Sequence, residues 1–238
     1  THLASWASGI LDTMDMKDGL NAAQAQALDV VEGPLLLLAG AGSGKTKTLT
    51  HRIAHLIANE GVWPDEILAV TFTNKAAREM RERLWKLLEP QAPDEVPRSF
   101  MQWMGTFHGI CVRLLRQYGG VIDITRNFVI YDDDDQLRLI KQAMKELSIT
   151  DKQLKPRVAL SMISRAKNDL IPPEDFASSS RHPRAVEIAK LYEQYETSKH
   201  QNNALDFDDL LLETVRMLRE SPDTRRRLRQ QFKHIMVD

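Results

Sequence analysis

The residues best placed to do chemistry are Ala39-Gly40-Ala41-Gly42-Ser43-Gly44-Lys45-Thr46. They fit the phosphate-loop pattern G-x-x-x-x-G-K-[ST], with Ala39 in place of the first glycine. That position opens the loop and has no need to touch phosphate. Within Gly40, Ala41, Gly42, Ser43 and Gly44, glycine lets successive backbone N–H groups turn inward without a Cβ clash. A helix starting at Lys45 adds the partial positive charge of its N-terminus. Lys45 is placed to reach the β- and γ-phosphates of a nucleoside triphosphate, and the Thr46 hydroxyl to ligate Mg²⁺. A chance glycine turn before a helix is the competing reading.

Such a loop needs a strand before it and a helix after it. The apolar run Leu35–Leu38 predicts a first, buried strand, and the pattern from Lys45 to about Asn59 predicts a helix ended by Gly61. A short helix from Asn21 to about Glu32 precedes them, closed by Gly33-Pro34. Ile67–Phe72 predicts a second strand, Asn74 to about Leu88 a helix, Pro90–Pro97 a loop, and Met101–Phe107 a third strand. Alternating strands and helices predict an α/β fold, a parallel sheet with helices on both faces. After His108 the strand signal nearly vanishes. Helices are predicted over Ile110–Gln117, Asp135–Leu147, Pro156–Lys167 and Ala185–Lys199, which suggests an inserted all-helical subdomain. A helix Phe207–Leu218, a basic helix around Arg225–Arg229 and a strand Ile235–Val237 follow. At the start, Leu3, Trp6, Ala7, Ile10, Leu11 and Met14 recur at helical spacing, so residues 1–18 read as an amphipathic leader helix or as a disordered leader.

The 238 residues are 42% hydrophobic and 27% charged, ordinary for a globular protein. With 32 basic and 33 acidic residues the formal net charge is −1, so any nucleic-acid binding must come from local sites. A single cysteine, Cys111, excludes an internal disulfide and fits a reducing, cytoplasmic location. No apolar stretch approaches the roughly 20 residues of a membrane span, and no signal peptide is evident.

Four further segments surround the loop: Leu20–Ala27, Thr71-Phe72-Thr73-Asn74-Lys75-Ala76-Ala77, Gly105-Thr106-Phe107-His108 and Leu205-Asp206-Phe207-Asp208-Asp209-Leu210. In order and spacing they resemble superfamily 1 DNA helicases of the UvrD/Rep/PcrA type, across nearly all of residues 19–238. The resemblance implies a RecA-like P-loop core at 19–106 and 204–238, with the helical insert at 107–203. It implies an ATP-dependent helicase (an ATP hydrolase) with Mg²⁺ as cofactor, moving 3′-to-5′ on single-stranded DNA or at duplex–single-strand junctions in repair or replication. Gln24 takes the place of the glutamine that meets the adenine edge, though alone it reads equally as an exposed helix glutamine. Lys47 stands where relatives carry arginine near the base. Thr71, Phe72 and Asn74, with Thr106, Phe107 and His108, take the places of DNA contacts. From the residues alone, Phe72 is either a stacking platform or core at a strand end. Asp238 takes the place of the first Walker B carboxylate, beside Thr46 on Mg²⁺, so Lys45 and Asp238 are the catalytic candidates.

Residue 1 is Thr and the chain stops at a strand tip, so a fragment of a longer protein is expected. A missing second RecA-like domain would be its partner, and the fragment itself would lack efficient hydrolysis. An uncovered strand edge or apolar face is expected with it, and a tendency to self-associate or disorder near the last strand. The rivals are a nonenzymatic nucleotide- or DNA-binding module and a P-loop kinase. Other clusters carry less. His51 and His55 have metal-like spacing but read as a solvated face. Asp132–Asp135 reads as a helix N-cap, Arg225-Arg226-Arg227 with Arg229 as a solvated face, and Cys111 as unreactive.

Overall fold

The computed structural model describes residues 15–40, 42–91, 93 and 95–238. The expected leader helix, built on Leu3 to Met14, lies outside them, as does Ala41 of the glycine loop. The chain divides into two compact units, one of residues up to Ile110 with Arg226–Asp238, the other Cys111–Arg225.

The first unit is built on a parallel sheet of β1 (Ile67–Thr71), β2 (Met104–Thr106) and β5 (His234–Val237), in the order β2-β1-β5. Central β1 reads Ile-Leu-Ala-Val-Thr, apolar at every position but the last, as a strand buried on both faces must be. Its register pairs Val70 with Gly105 and Val237, and Thr71 with Thr106. Helices α1 (Ala22–Asp29), α2 (Lys45–Ala58) and α3 (Asn74–Leu88) belong to this unit. Leu28, Ile53, Leu56, Ile67, Met80, Leu84 and Met104 form its core, each at most 1% exposed.

Two strand expectations need correction. Leu35–Leu38 is not a strand, and Leu36 and Leu38 are 79% and 86% exposed. An apolar run becomes a strand only with a ladder partner, and β5 forms its ladder with β1 alone. A groove of about 820 Å³ is lined by residues 31–37 on one side and β5 on the other. The outer edge of β5 is therefore unpaired among the described residues, and on one face of the strand Ile235 and Val237 are 65% and 59% exposed, an uncovered apolar face. The third strand is shorter than Met101–Phe107. Met101 takes a positive φ of 48° in a turn, and β2 starts only at Met104.

The second unit is helical: α5 (Asp133–Glu146), α6 (Pro156–Asn168), α7 (Pro173–Ser179), α8 (Ala185–Gln201) and α9 (Phe207–Glu220), with α4 (Phe107–Tyr118) and α10 (Pro222–Gln231) completing the α-helices among the described residues. The short strands β3 (Val129–Ile130) and β4 (Ala204–Leu205) pair in parallel within it. Two residues each are too few for a periodic signal, so the sequence left them unseen. Helix α7 was hidden by its prolines, which start it rather than break it. Asp132 accepts from the amides of Asp134 and Asp135 and caps α5, as its position suggested.

At the heart of this unit is an ionic cluster that periodicity cannot show. Lys167 and Lys199 are 4% and 2% exposed, and both bond Asp206 and Asp209, themselves 2% and 5% exposed. Tyr195 donates to Asp206 at 3.0 Å. Asp206 and Asp209 also cap α9 reciprocally, so one carboxylate pair serves both the helix start and the lysines. Glu196, Asp206 and Asp209 lie as close as metal ligands do, yet Lys167 and Lys199 each already pair with all three carboxylates. Burial alone would push the Asp206 carboxyl up, but Lys199 and Lys167 together hold it below the usual range. Burial would likewise pull Lys167 down, and Asp209, Glu196 and Asp206 outweigh it and raise it. The Asp206 contribution is thus present above about pH 4 and lost as pH falls, while that of Lys167 is present below about pH 10 and lost as pH rises. Asp206→Asn should cost about 3–5 kcal/mol in urea unfolding at pH 7, with the gap to wild type shrinking toward pH 3.

Among the described residues, no helix is long and apolar enough to cross a membrane.

Candidate functional site

Parallel strands present their carboxyl ends together, and ligands of open α/β sheets bind there. Here β1 ends at Thr71, β2 at Thr106 and β5 at Val237, and the candidate residues follow directly.

The glycine loop leads into α2 through Gly44, which caps the helix in a left-handed conformation at φ 85°. That φ favours glycine, and a Cβ there would also stand 3.0 Å from Gln24 Nε2 and press on that side chain. Ser43 Oγ donates to Gly40 O at 2.7 Å and closes the loop on itself. Lys45 Nζ lies inside the loop, donating to Ala39 O at 3.0 Å and Gly40 O at 2.8 Å. The Thr46 hydroxyl meets the Asp238 carboxylate at 3.0 and 3.2 Å across 192 residues of sequence. Asp238 is held there by its own N–H, which donates to Val70 O at 3.0 Å and extends the β1 ladder by one bond. A hydroxyl and a carboxylate meeting at one point are the hard oxygen donors that Mg²⁺ takes.

Gln24 lies beside the loop. It forms a reciprocal capping box with Asn21 at the start of α1, and its Nε2 donates to Ser43 O at 3.0 Å. The spacing Asn-x-x-Gln was the available signal for that box. Lys47 Nζ donates to Gly19 O at 2.6 Å. Helix α2 differs from expectation at His51, which is not on a solvated face but buried, with Nδ1 2.8 Å from Met16 O. Its neighbour Arg52 is 7% exposed and donates to Ala27 O, and burial lowers its pKa. Thr48 and Thr50 bond back to Gly44 O and Thr46 O. These polar residues tolerate burial because each ends on a carbonyl. His55 keeps a more open position, 3.4 Å from Glu60.

Phe72 is 78% exposed, which removes the core reading. Its ring packs against Phe107 with centroids 5.4 Å apart, tilted by 50°. Thr71 is buried at the strand end, and Asn74 is exposed at the start of α3. The cap of α3 is Thr73, which accepts from the Ala76 amide at 3.1 Å, and the sequence reading passed over it. Thr106 Oγ1 accepts from the Gly109 amide at 3.1 Å in the first turn of α4, which keeps its hydroxyl proton available. Arg225, Arg226, Arg227 and Arg229 are exposed. Cys111 is buried, which pushes its thiol up, with Thr214 opposing.

The sequence from residue 20 to 238 matches the family model described as the UvrD/REP helicase N-terminal domain. The chain belongs to that family. Over 223 residues it is 44% identical to a Leuconostoc citreum protein named "ATP-dependent DNA helicase PcrA", covering 94% of this chain. Proteins of the same name from Bacillus subtilis and Staphylococcus aureus are 44% and 42% identical, each over 92% of the chain. The chain spans 29% of the length of each of these relatives, and as a UvrD/REP domain it resembles their N-terminal part.

Because Phe72 is so exposed, Phe72→Ala should change the unfolding free energy by less than about 1 kcal/mol. Ile53→Ala, in the core, should cost about 2–5 kcal/mol in the same urea titration.

Proposed function

We propose that this chain is the ATP- and single-stranded-DNA-binding N-terminal part of an ATP-dependent DNA helicase. The observation that carries the reading is the meeting of Thr46 and Asp238 beside the loop, at the sheet end that also carries the exposed Phe72 packed on the half-buried Phe107. The first unit is read as a RecA-like core and the helical unit as its insert.

In this reading Gly40, Ala41, Gly42, Ser43 and Gly44 offer backbone N–H groups to the phosphates, with Ala39 opening the loop. Lys45 leaves Ala39 O and Gly40 O and donates to phosphate oxygen instead. Thr46 and Asp238 hold Mg²⁺, which would neutralise the charge developing on the phosphates. Gln24 meets the adenine edge. Phe72 and Phe107 stack on bases, while Asn74 and His108 hold the backbone near them. None of these contacts reads a base edge of DNA, so binding is independent of sequence. Turnover, 3′-to-5′ movement and a role in repair or replication are proposed for the whole protein, with a second RecA-like domain supplying the rest of the ATP cleft.

Two titrations test this. A fluorescent ATP analogue with Mg²⁺ should bind wild type and lose most of its affinity to Lys45→Ala; equal binding by both would remove the loop from the function. Labelled oligo-dT should bind wild type, and Phe72→Ala should weaken it by about 1–3 kcal/mol without moving the melting temperature. Self-association through the free β5 edge is also proposed, and sedimentation showing only monomer at high concentration would refute it.

A further inference from the structure

Helix α2 does more than present Lys45 and Thr46. Three of its side chains end on backbone carbonyls of the segment that carries Gln24. Lys47 Nζ donates to Gly19 O, His51 Nδ1 lies against Met16 O, and Arg52 donates to Ala27 O. A carbonyl can only accept, so the His51 proton sits on Nδ1. In the opposite direction Gln24 Nε2 donates to Ser43 O. The segment is thus tied to the loop helix before α1, at its first turn and near its end. Two of the ties, from His51 and Arg52, are buried, where an unmade hydrogen bond is costly.

The ties fix the orientation of the Gln24 amide. Its Oε1 accepts from the Asn21 amide at 3.0 Å and its Nε2 donates to Ser43 O, so oxygen and nitrogen cannot exchange places. One lone pair and one N–H remain. They match a base edge that offers one donor and one acceptor, as adenine does through its exocyclic amine and N7. Guanine offers two acceptors on that edge and leaves Oε1 facing an oxygen.

We infer that His51 is a positioning residue for base selectivity: through Met16 it sets where the Gln24 segment stands relative to the phosphate loop. Lys47 acts with it through Gly19 and spends its charge on that carbonyl. This rests on the ATP reading above. Phosphate binding in that reading depends on the loop, Lys45, Thr46 and Asp238 rather than on where Gln24 stands, so the two can be separated.

The test compares wild type with His51→Leu and His51→Asn in binding ATP, GTP and inorganic tripolyphosphate, each with Mg²⁺. Asparagine places an amide N–H near the position of Nδ1, whereas leucine fills the space without a donor. His51→Leu should bind ATP about tenfold more weakly and lose most of its preference over GTP, with tripolyphosphate within about twofold of wild type. His51→Asn should restore the preference. Lys47→Met, at an exposed position that tolerates substitution, should also lower the ATP-to-GTP ratio and guards against misfolding of the leucine variant. An unchanged ratio in both variants overturns the inference. So does a parallel loss of ATP and tripolyphosphate in a folded His51→Leu protein, which would mark general damage to the loop. Wild type binding neither nucleotide nor tripolyphosphate would instead sink the nucleotide reading itself.

Discussion

The parallel register of β1 with both its neighbours is the constraint on which the candidate site depends. Pairing Val70 with Gly105 and Val237 brings three strand ends to one level. A slip by one residue would turn every side chain of β5 to the opposite face, burying Ile235 and exposing Met236. It would also carry Asp238 away from Val70 O, and with it the carboxylate that meets Thr46. Neither Thr46 nor Asp238 has a local reason to find the other. The ladder between them supplies it.

Much of this was legible in the residues, for identifiable reasons. Glycine, lysine and threonine at fixed offsets specify a loop by backbone conformation alone, so that segment needed no tertiary information. Helix α3 was readable from its run of amphipathic positions between Asn74 and about Leu88, although its capping threonine, Thr73, was not. The failures share a cause. Leu35–Leu38 was taken for a strand on hydrophobicity, but a strand is a relation between two segments. His51 was taken for surface because polar residues on helices usually are. Its burial depends on the carbonyl of Met16, and nothing at position 51 announces that partner. For Phe72 the residue type left two readings open, stacking platform or core, and its 78% exposure removes the second.

The second unit shows the same limit from the other side. Asp206 and Asp209 stood out as part of a motif, but Lys167 and Lys199 lay unremarked on two separate helices. Only folding brings four charges together, and each lysine then bonds both carboxylates. Such a cluster adds little net stability over an apolar core, but it tolerates only one arrangement of its members. It fixes α6, α8 and the first turn of α9 with respect to one another.

The bare side of β5 bears on what this sheet can recruit. Its outward amides and carbonyls have no ladder partner among the described residues, and the groove between β5 and residues 31–37 lies beside them. An extended segment rich in valine, isoleucine or threonine would offer that edge a strand, whereas one carrying proline and lysine would not.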